Sequence, residues 1–374
     1  MRLSPRLTVP LAITAVLALG ACKDGEKVPL VNSSAADTTS AEAPAPAAQP
    51  SLAAIVEQYD ASVEALRADT AAVHVAVPAG RSARDSISLA RAVRYGRSAP
   101  GWPVKGPTPK AGAILPQKRI IAYYGNPHSK KMGALGEFEP QDMLRRLDRE
   151  VAQWNAADPA HPVQPALHLV TVIAQGDAGK DGKWRRRETD EMIQRVYDWA
   201  KSRNAILFLD IQTGQSTYQE ELPRLMKWLE KPDIHLGIDP EFNMQRAKAG
   251  VRPGAKIGTV DAADINYVTG ELAKLVREKN LPPKILVVHR FTRLMVTNYT
   301  NIRLDPNVQI VMHMDGWGGP WLKYDSYKDY ILKEPVQYTG FKLFYGNDTK
   351  KGDKVLTAKE LVQLVPAPLY IQYQ

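Results

Sequence analysis

The chain has a single cysteine among 374 residues, so it cannot form an intramolecular disulfide. It has no apolar run long enough to cross a bilayer; the stretch Leu11–Leu19 is too short, and no other stretch qualifies. No glycine-rich phosphate fingerprint follows the first strand-like segment, which argues against a doubly wound dinucleotide-binding sheet. No basic stripe interleaved with aromatics is present, so nucleic acid is not expected as a partner. The charge balance is +9, which favours anionic surroundings without naming one.

What is there begins with an address. Arg2 and Arg6 precede the apolar run, and Leu19-Gly20-Ala21-Cys22 closes it. This pattern resembles a bacterial lipoprotein signal, in which Cys22 is lipidated and becomes the mature N-terminus. An ordinary signal peptide with a chance cysteine is the alternative. By resemblance to lipoproteins of Gram-negative bacteria, Lys23 after the cysteine points to the outer membrane. The expected localisation is therefore the cell envelope, lipid-anchored, on its periplasmic or surface side. Residues 1–21 are the signal and 22–50 a tether rich in Ala, Pro, Ser and Thr, too poor in large apolar side chains to offset chain entropy. Residues 51–117 form an N-terminal helical segment, and 118–374 the main domain.

From residue 119 onward short apolar runs alternate with longer segments. The strand candidates are 119–124, 167–174, 205–211, 234–239, 284–290, 308–314, 340–345 and 369–374. Helix signals lie between them: Pro140 suits a first turn, and Thr217/Glu220 and Thr357/Glu360 fit capping boxes. Eight strands separated by helices predict a (β/α)8 TIM barrel ending at strand eight. A doubly wound open sheet is the competing fold. With no eighth helix, the apolar stripe at 51–66 and a second helix from Asp85 to about Tyr95 are expected to cover the seam between strands eight and one. Their remaining mobile in the tether is the alternative. Gln374 would then lie near the C-terminal mouth.

Active sites of this fold sit at the C-terminal ends of the strands. Alternation with period two brings together Tyr124 and Asn126, Asp210 and Gln212, Asp239 and Glu241, and His289, followed by Arg290. His313 and Asp315, Lys342, and Tyr370 and Gln372 complete the circle. Ionisable groups inside an apolar barrel are costly unless paired or solvated, so a site is expected there; a buried structural ion-pair network is the bland reading. Asp239 and Glu241, placed on one strand face, could share a proton and raise the pKa of one as an acid catalyst requires. Trp317 and Trp321 after strand six offer platforms for sugar rings, or simply pack the loop.

Asp239-Pro240-Glu241 resembles the D-x-E close of the family 18 chitinase-like motif, and Met312-His313-Met314-Asp315 resembles that family's M-x-Y-D. The resemblance implies Glu241 as acid, Asp239 as its helper and Asp315 as a substrate-positioning group. The upstream acids of D-x-x-D-x-D-x-E are Ile234 and Gly237 here, the Tyr is Met314, and strand eight has no Trp. The expected function is an envelope-anchored glycoside hydrolase-like barrel acting on a carbohydrate by carboxylate catalysis. Its second carboxylate would be Asp210 or Asp315, and His289, His313, Arg290, Gln212, Trp317, Trp321, Tyr124, Asn126 and Lys342 would bind substrate. No cofactor or metal is required. The alternatives are a non-catalytic glycan- or partner-binding lipoprotein and a metal-dependent hydrolase using Asp210, Asp239, His289 and His313. Basic loop residues, Lys180, Lys183, Arg185, Arg186, Arg187, Arg246, Lys248, Arg252 and Lys256, together with the loop Gly346–Gly352, make an anionic glycan one option.

Overall fold

The structure, a computed structural model, describes residues 75–374. The signal, Cys22, the tether and the helix at 51–66 lie outside these residues. Among the described residues, no helix is long and apolar enough to cross a membrane.

Eight parallel strands close into a barrel: β1 (Arg119–Gly125), β2 (Val163–Ala174), β3 (Ile206–Ile211), β4 (Ile234–Ile238), β5 (Lys284–Arg290), β6 (Val308–Met314), β7 (Tyr338–Leu343) and β8 (Tyr370–Tyr373). Closure is explicit in the register, with Ile121 opposite Ile371 on one side of β1 and Ala122 opposite Ala166 on the other. The TIM-barrel expectation holds. A three-residue strand, Arg185–Arg187, adds antiparallel to the end of β2.

Period-two alternation divides the apolar residues between two cores. Ile120, Ala122, Ala166, Phe208, Ile285, Val287 and Val311 point inward and fill the lower bore. Leu167, Leu207, Leu236, Leu286 and Ile310 belong to the larger core shared with the helices. Each such buried side chain contributes roughly 1.5–3 kcal/mol. The bottom is plugged by Leu115, whose backbone N–H and C=O both bond the Gln309 side chain, at 3.2 and 2.6 Å.

Besides a four-residue helix at Ala134–Glu137 and a π-helical turn at Lys328–Leu332, the helices are α1 (Ala83–Ser98), α2 (Pro140–Ala157), α3 (Asp190–Lys201), α4 (Tyr218–Leu229), α5 (Ala262–Glu278), α6 (Pro320–Tyr327) and α7 (Ala358–Leu361). Pro140 occupies the first turn of α2, and Thr357 and Glu360 make a full capping box. Thr217 caps α4, but Glu220 does not return the bond, because Arg185 and Arg187 hold it at 3.1 and 3.2 Å. Between β5 and β6 there is no α-helix, only two three-residue turns and a two-residue strand.

The expected helix near Asp85 exists, but it does not cover the seam. α1 packs on α6, and Gly96 abuts Val365 just beyond α7, where a four-residue helix leaves the outer ring open. The β8/β1 seam lies under α2 instead: Trp154 Nε1 donates to the Tyr373 hydroxyl at 2.9 Å, and the Tyr345 hydroxyl donates to Glu150 at 2.8 Å. At Gly96 any Cβ would sit 1.7 Å from the Val365 carbonyl oxygen. Gly96→Ala is therefore expected to destabilise the chain by about 1–3 kcal/mol in urea unfolding, as overpacking does; an unchanged midpoint would show that α1 is not seated on this turn.

Candidate active site

Along the bore the inward residues change character halfway up the strands. Above the apolar layers stand Tyr124 on β1, His168 on β2, Asp210 on β3, His289 on β5, His313 on β6, Lys342 on β7 and Gln372 on β8, all buried. Over them opens a cavity of about 660 Å³ at the C-terminal mouth. Tyr124, Gln212, Asp239, Glu241, Asp315 and Lys342 form its polar floor, and Phe242, Phe291, Trp317, Tyr330 and Phe344 supply aromatic wall. Trp317 is 54% exposed, so its ring is available to a ligand.

β4 ends at Ile238, and the chain turns through a 3-10 segment, Pro240–Phe242. Asp239 caps that turn, its Oδ1 accepting from the Glu241 backbone N–H at 3.2 Å and its Oδ2 from Gln212 Nε2 at 3.3 Å. The two carboxylates therefore do not continue one strand face, as the alternation had suggested. Burial, with Asp315 and Asp210 nearby and His289 opposing, pushes Asp239 up to about 7. Burial beside Asp239 and Asp315 pushes Glu241 up to about 8.

Asp315 is the opposite case. Burial alone would raise it, but the Lys342 ammonium at 2.9 Å and the His289 Nδ1 at 2.7 Å hold its carboxyl well below the usual carboxylate range. Lys342 also lies 4.0 Å over the Tyr124 ring. Asp210 sits deeper; burial would raise it, but His289 and His168 keep it low, and its Oδ2 accepts from the Tyr124 hydroxyl at 3.2 Å. Burial would lower His289, yet Asp315 and Asp210 outweigh it and raise the ring. His313 is driven well below its ordinary value by burial and by His289.

Seven expected site residues thus line the cavity: Glu241, Asp239, Asp315, Gln212, Tyr124, Lys342 and Trp317. Asp210, His289 and His313 are sealed beneath the floor, so the two histidines do not meet a ligand directly. Arg290 has outward parity and pairs with Glu334 behind the sheet. The Asn126 amide is spent on Val170 O and Glu188, at 3.0 and 2.9 Å. Trp321 packs against α1, under the Arg84 guanidinium at 3.3 Å, with its backbone N–H on Asp85. None of the nine basic loop residues lines the cavity: Arg185 and Arg187 are tied to Glu221 and Arg246 to Asp264. Asp348 of the strand-seven loop accepts from Lys323, Phe344 N and Gly318 N, fastening that loop to the Trp317 segment.

Reading only the strand ends overlooked His168, which lies mid-strand on the inward parity of Ala166. It also overlooked Phe291, Tyr330 and Phe344, whose loops give no periodic signal.

The chain matches no family model and no curated protein. Among solved structures, a GH5_4 endoglucanase, ZgEngAGH5_4 with cellotriose, overlaps at 11% identity and a TM-score of 0.36, over 72% of this chain and 92% of that one. A trimodular GH5_4 subfamily endoglucanase overlaps at 12% identity and a TM-score of 0.29, over 54% and 40%. Overlaps this loose carry no argument about chemistry, and the barrel assignment rests on the strand pairing.

Glu241 titrates near 8 when folded, against 4.5 ordinarily, so the folded chain binds this proton more tightly. Its contribution to stability is fully present below about pH 4.5 and is lost as the pH rises through about 8. Urea midpoints are expected to fall over that window, and to fall less in Glu241→Gln. Equal slopes would refute a protonated Glu241.

Proposed function

We propose that the chain is a carbohydrate-cleaving enzyme of glycoside-hydrolase type, with Glu241 as general acid and Asp315 as its ionised counterpart. One arrangement carries this: Glu241, whose carboxyl is pushed up to about 8 by burial beside Asp239 and Asp315, and the Asp315 carboxylate paired with Lys342 open onto the same aromatic-walled cavity. Such separation of two carboxyl groups is what acid-assisted glycoside cleavage needs. Glu241 gives its proton to the glycosidic oxygen as the C–O bond breaks. The Asp315 carboxylate faces the positive charge that develops on the sugar ring, a water molecule then bonds to that carbon, and the proton it sheds passes to the Glu241 carboxylate, restoring the acid. Asp239, beneath Glu241, adds to the field that retains the acid's proton. Trp317 and its aromatic neighbours provide stacking faces for sugar rings.

The family 18 resemblance supports Glu241 and Asp239 in these roles. It does not extend to substrate-assisted cleavage of N-acetyl sugars, because Met314 stands in the outer apolar core and Gly237 carries no carboxylate. The nine basic loop residues do not line the cavity; Lys131 does, while the lining Lys323 and Lys342 are paired with Asp348 and Asp315.

The full chain is to be screened against cell-wall and plant glycans. On the glycan it cleaves, Glu241→Gln and Asp315→Asn are each expected to lower kcat by at least about 100-fold. Full activity in Glu241→Gln would refute the assignment. A glycan bound tightly and never cleaved would replace it with a binding lipoprotein.

The proposed address is the cell envelope, supported by the lipobox-like Leu19–Cys22. Cys22→Ser is expected to move the protein from the membrane to the soluble fraction. If the wild-type chain carries no lipid by mass, the anchor is wrong.

A further inference from the structure

Below the cavity floor three bare ligand atoms converge. His168 Nε2, Asp210 Oδ1 and His289 Nε2 are buried, have no hydrogen-bond partner among the described residues, and lie within 4.8 Å of one another. Asp210 Oδ1 is 3.4 Å from His168 Nε2 and 3.8 Å from His289 Nε2. Buried polar atoms left this way are costly, and a carboxylate oxygen more than most.

Each atom is aimed by a contact on its far side. His168 Nδ1 lies 2.6 Å from the Tyr370 hydroxyl, and His289 Nδ1 lies 2.7 Å from Asp315 Oδ2. Asp210 Oδ2 accepts from Tyr124. Imidazoles whose other nitrogen is held by a hydroxyl or carboxylate are the usual form of metal-ligating histidines. The space between the atoms is kept open by Gly237, opposite Asp210 in register. A Cβ there would lie 2.4 Å from Asp210 Oδ1 and 2.5 Å from His168 Nε2.

A proton on His168 Nε2 could reach Asp210 Oδ1 at 3.4 Å, but it would leave His289 Nε2, 3.8 Å from that oxygen, beyond hydrogen-bond reach. A cation about 2.0–2.2 Å from each ligand, in tetrahedral geometry, separates them by roughly 3.3–3.6 Å. The 3.4 Å contact fits, and the 3.8 Å one needs only a small closing. A second grouping, His289 with His313 and Asp315, is weaker because Asp315 is already committed to His289 Nδ1 and Lys342.

The geometry points to a buried divalent metal site formed by His168, Asp210 and His289, taking a first-row transition ion such as zinc. Two imidazoles and one carboxylate suit such ions better than calcium or magnesium, which prefer all-oxygen shells. Tyr124 lines the cavity and packs on both imidazoles, with ring centroids 5.3 and 5.7 Å away. The ion would sit behind Tyr124, as a fixed charge under the floor. This site goes beyond the hydrolytic reading and does not rest on it.

The test uses the full chain, stripped with chelator, equilibrated with zinc or cobalt(II), desalted, and assayed for metal by mass spectrometry. About one ion per chain is expected, with the ligand-field absorption of a low-coordinate cobalt(II) site. His168→Gln and Asp210→Asn are each expected to weaken zinc binding by at least about tenfold. His128→Gln, an exposed control, and Glu241→Gln should keep it; metal retained without Glu241 separates this site from the catalytic proposal. Less than about one zinc in ten wild-type chains, or wild-type content in both ligand variants, would overturn it. If circular dichroism shows a ligand variant unfolded, the wild-type stoichiometry and the cobalt(II) spectrum decide alone.

Discussion

Lys342 Nζ lies 2.9 Å from Asp315 Oδ1 at the cavity floor, where both side chains are largely buried. Removing either partner would strand a buried charge, so β6 and β7 are bound to each other through their inward side chains as well as their backbones. The same ammonium lies over Tyr124 on β1, and Asp315 reaches back to His289 on β5. Four of the eight strands are thereby coupled at one level of the bore. The aromatic wall, the acid at Glu241 and the deeper histidines are all arranged around this pair.

The barrel itself makes such crowding unavoidable. A closed sheet gives each strand one inward face, and the lower half is filled by Ile, Val, Ala and Phe. Polar residues at the upper half have nowhere to turn except toward one another or into the cavity. Those that reach solvent do so through a single opening, and those below it must be satisfied internally. That difference in depth separates Glu241, which holds a proton at the cavity, from Asp210, which is kept ionised by histidines.

The strands were legible because each is a continuous apolar run between turn signals, and period two then placed Asp210, His289, His313, Asp315 and Lys342 on the inward side without error. The same rule assigns Arg290 outward; adjacency to His289 was no reason to include it. Asn126 has inward parity, but no spacing rule shows that Glu188, more than 60 residues away, would claim its amide. Depth was the other illegible quantity. Parity says which way a side chain faces and nothing about whether Tyr124 closes the space above it. The role of α1 was hidden for a related reason: a four-residue α7 leaves a gap that only the folded outer ring reveals.

Gly237 leaves a bare position on β4, and the neighbouring strand places Asp210 against it. His168 Nε2 fills what remains of that space. Residues 168, 210 and 237 therefore form one interlocked unit, in which a side chain at 237 is compatible only with smaller or absent groups at the other two.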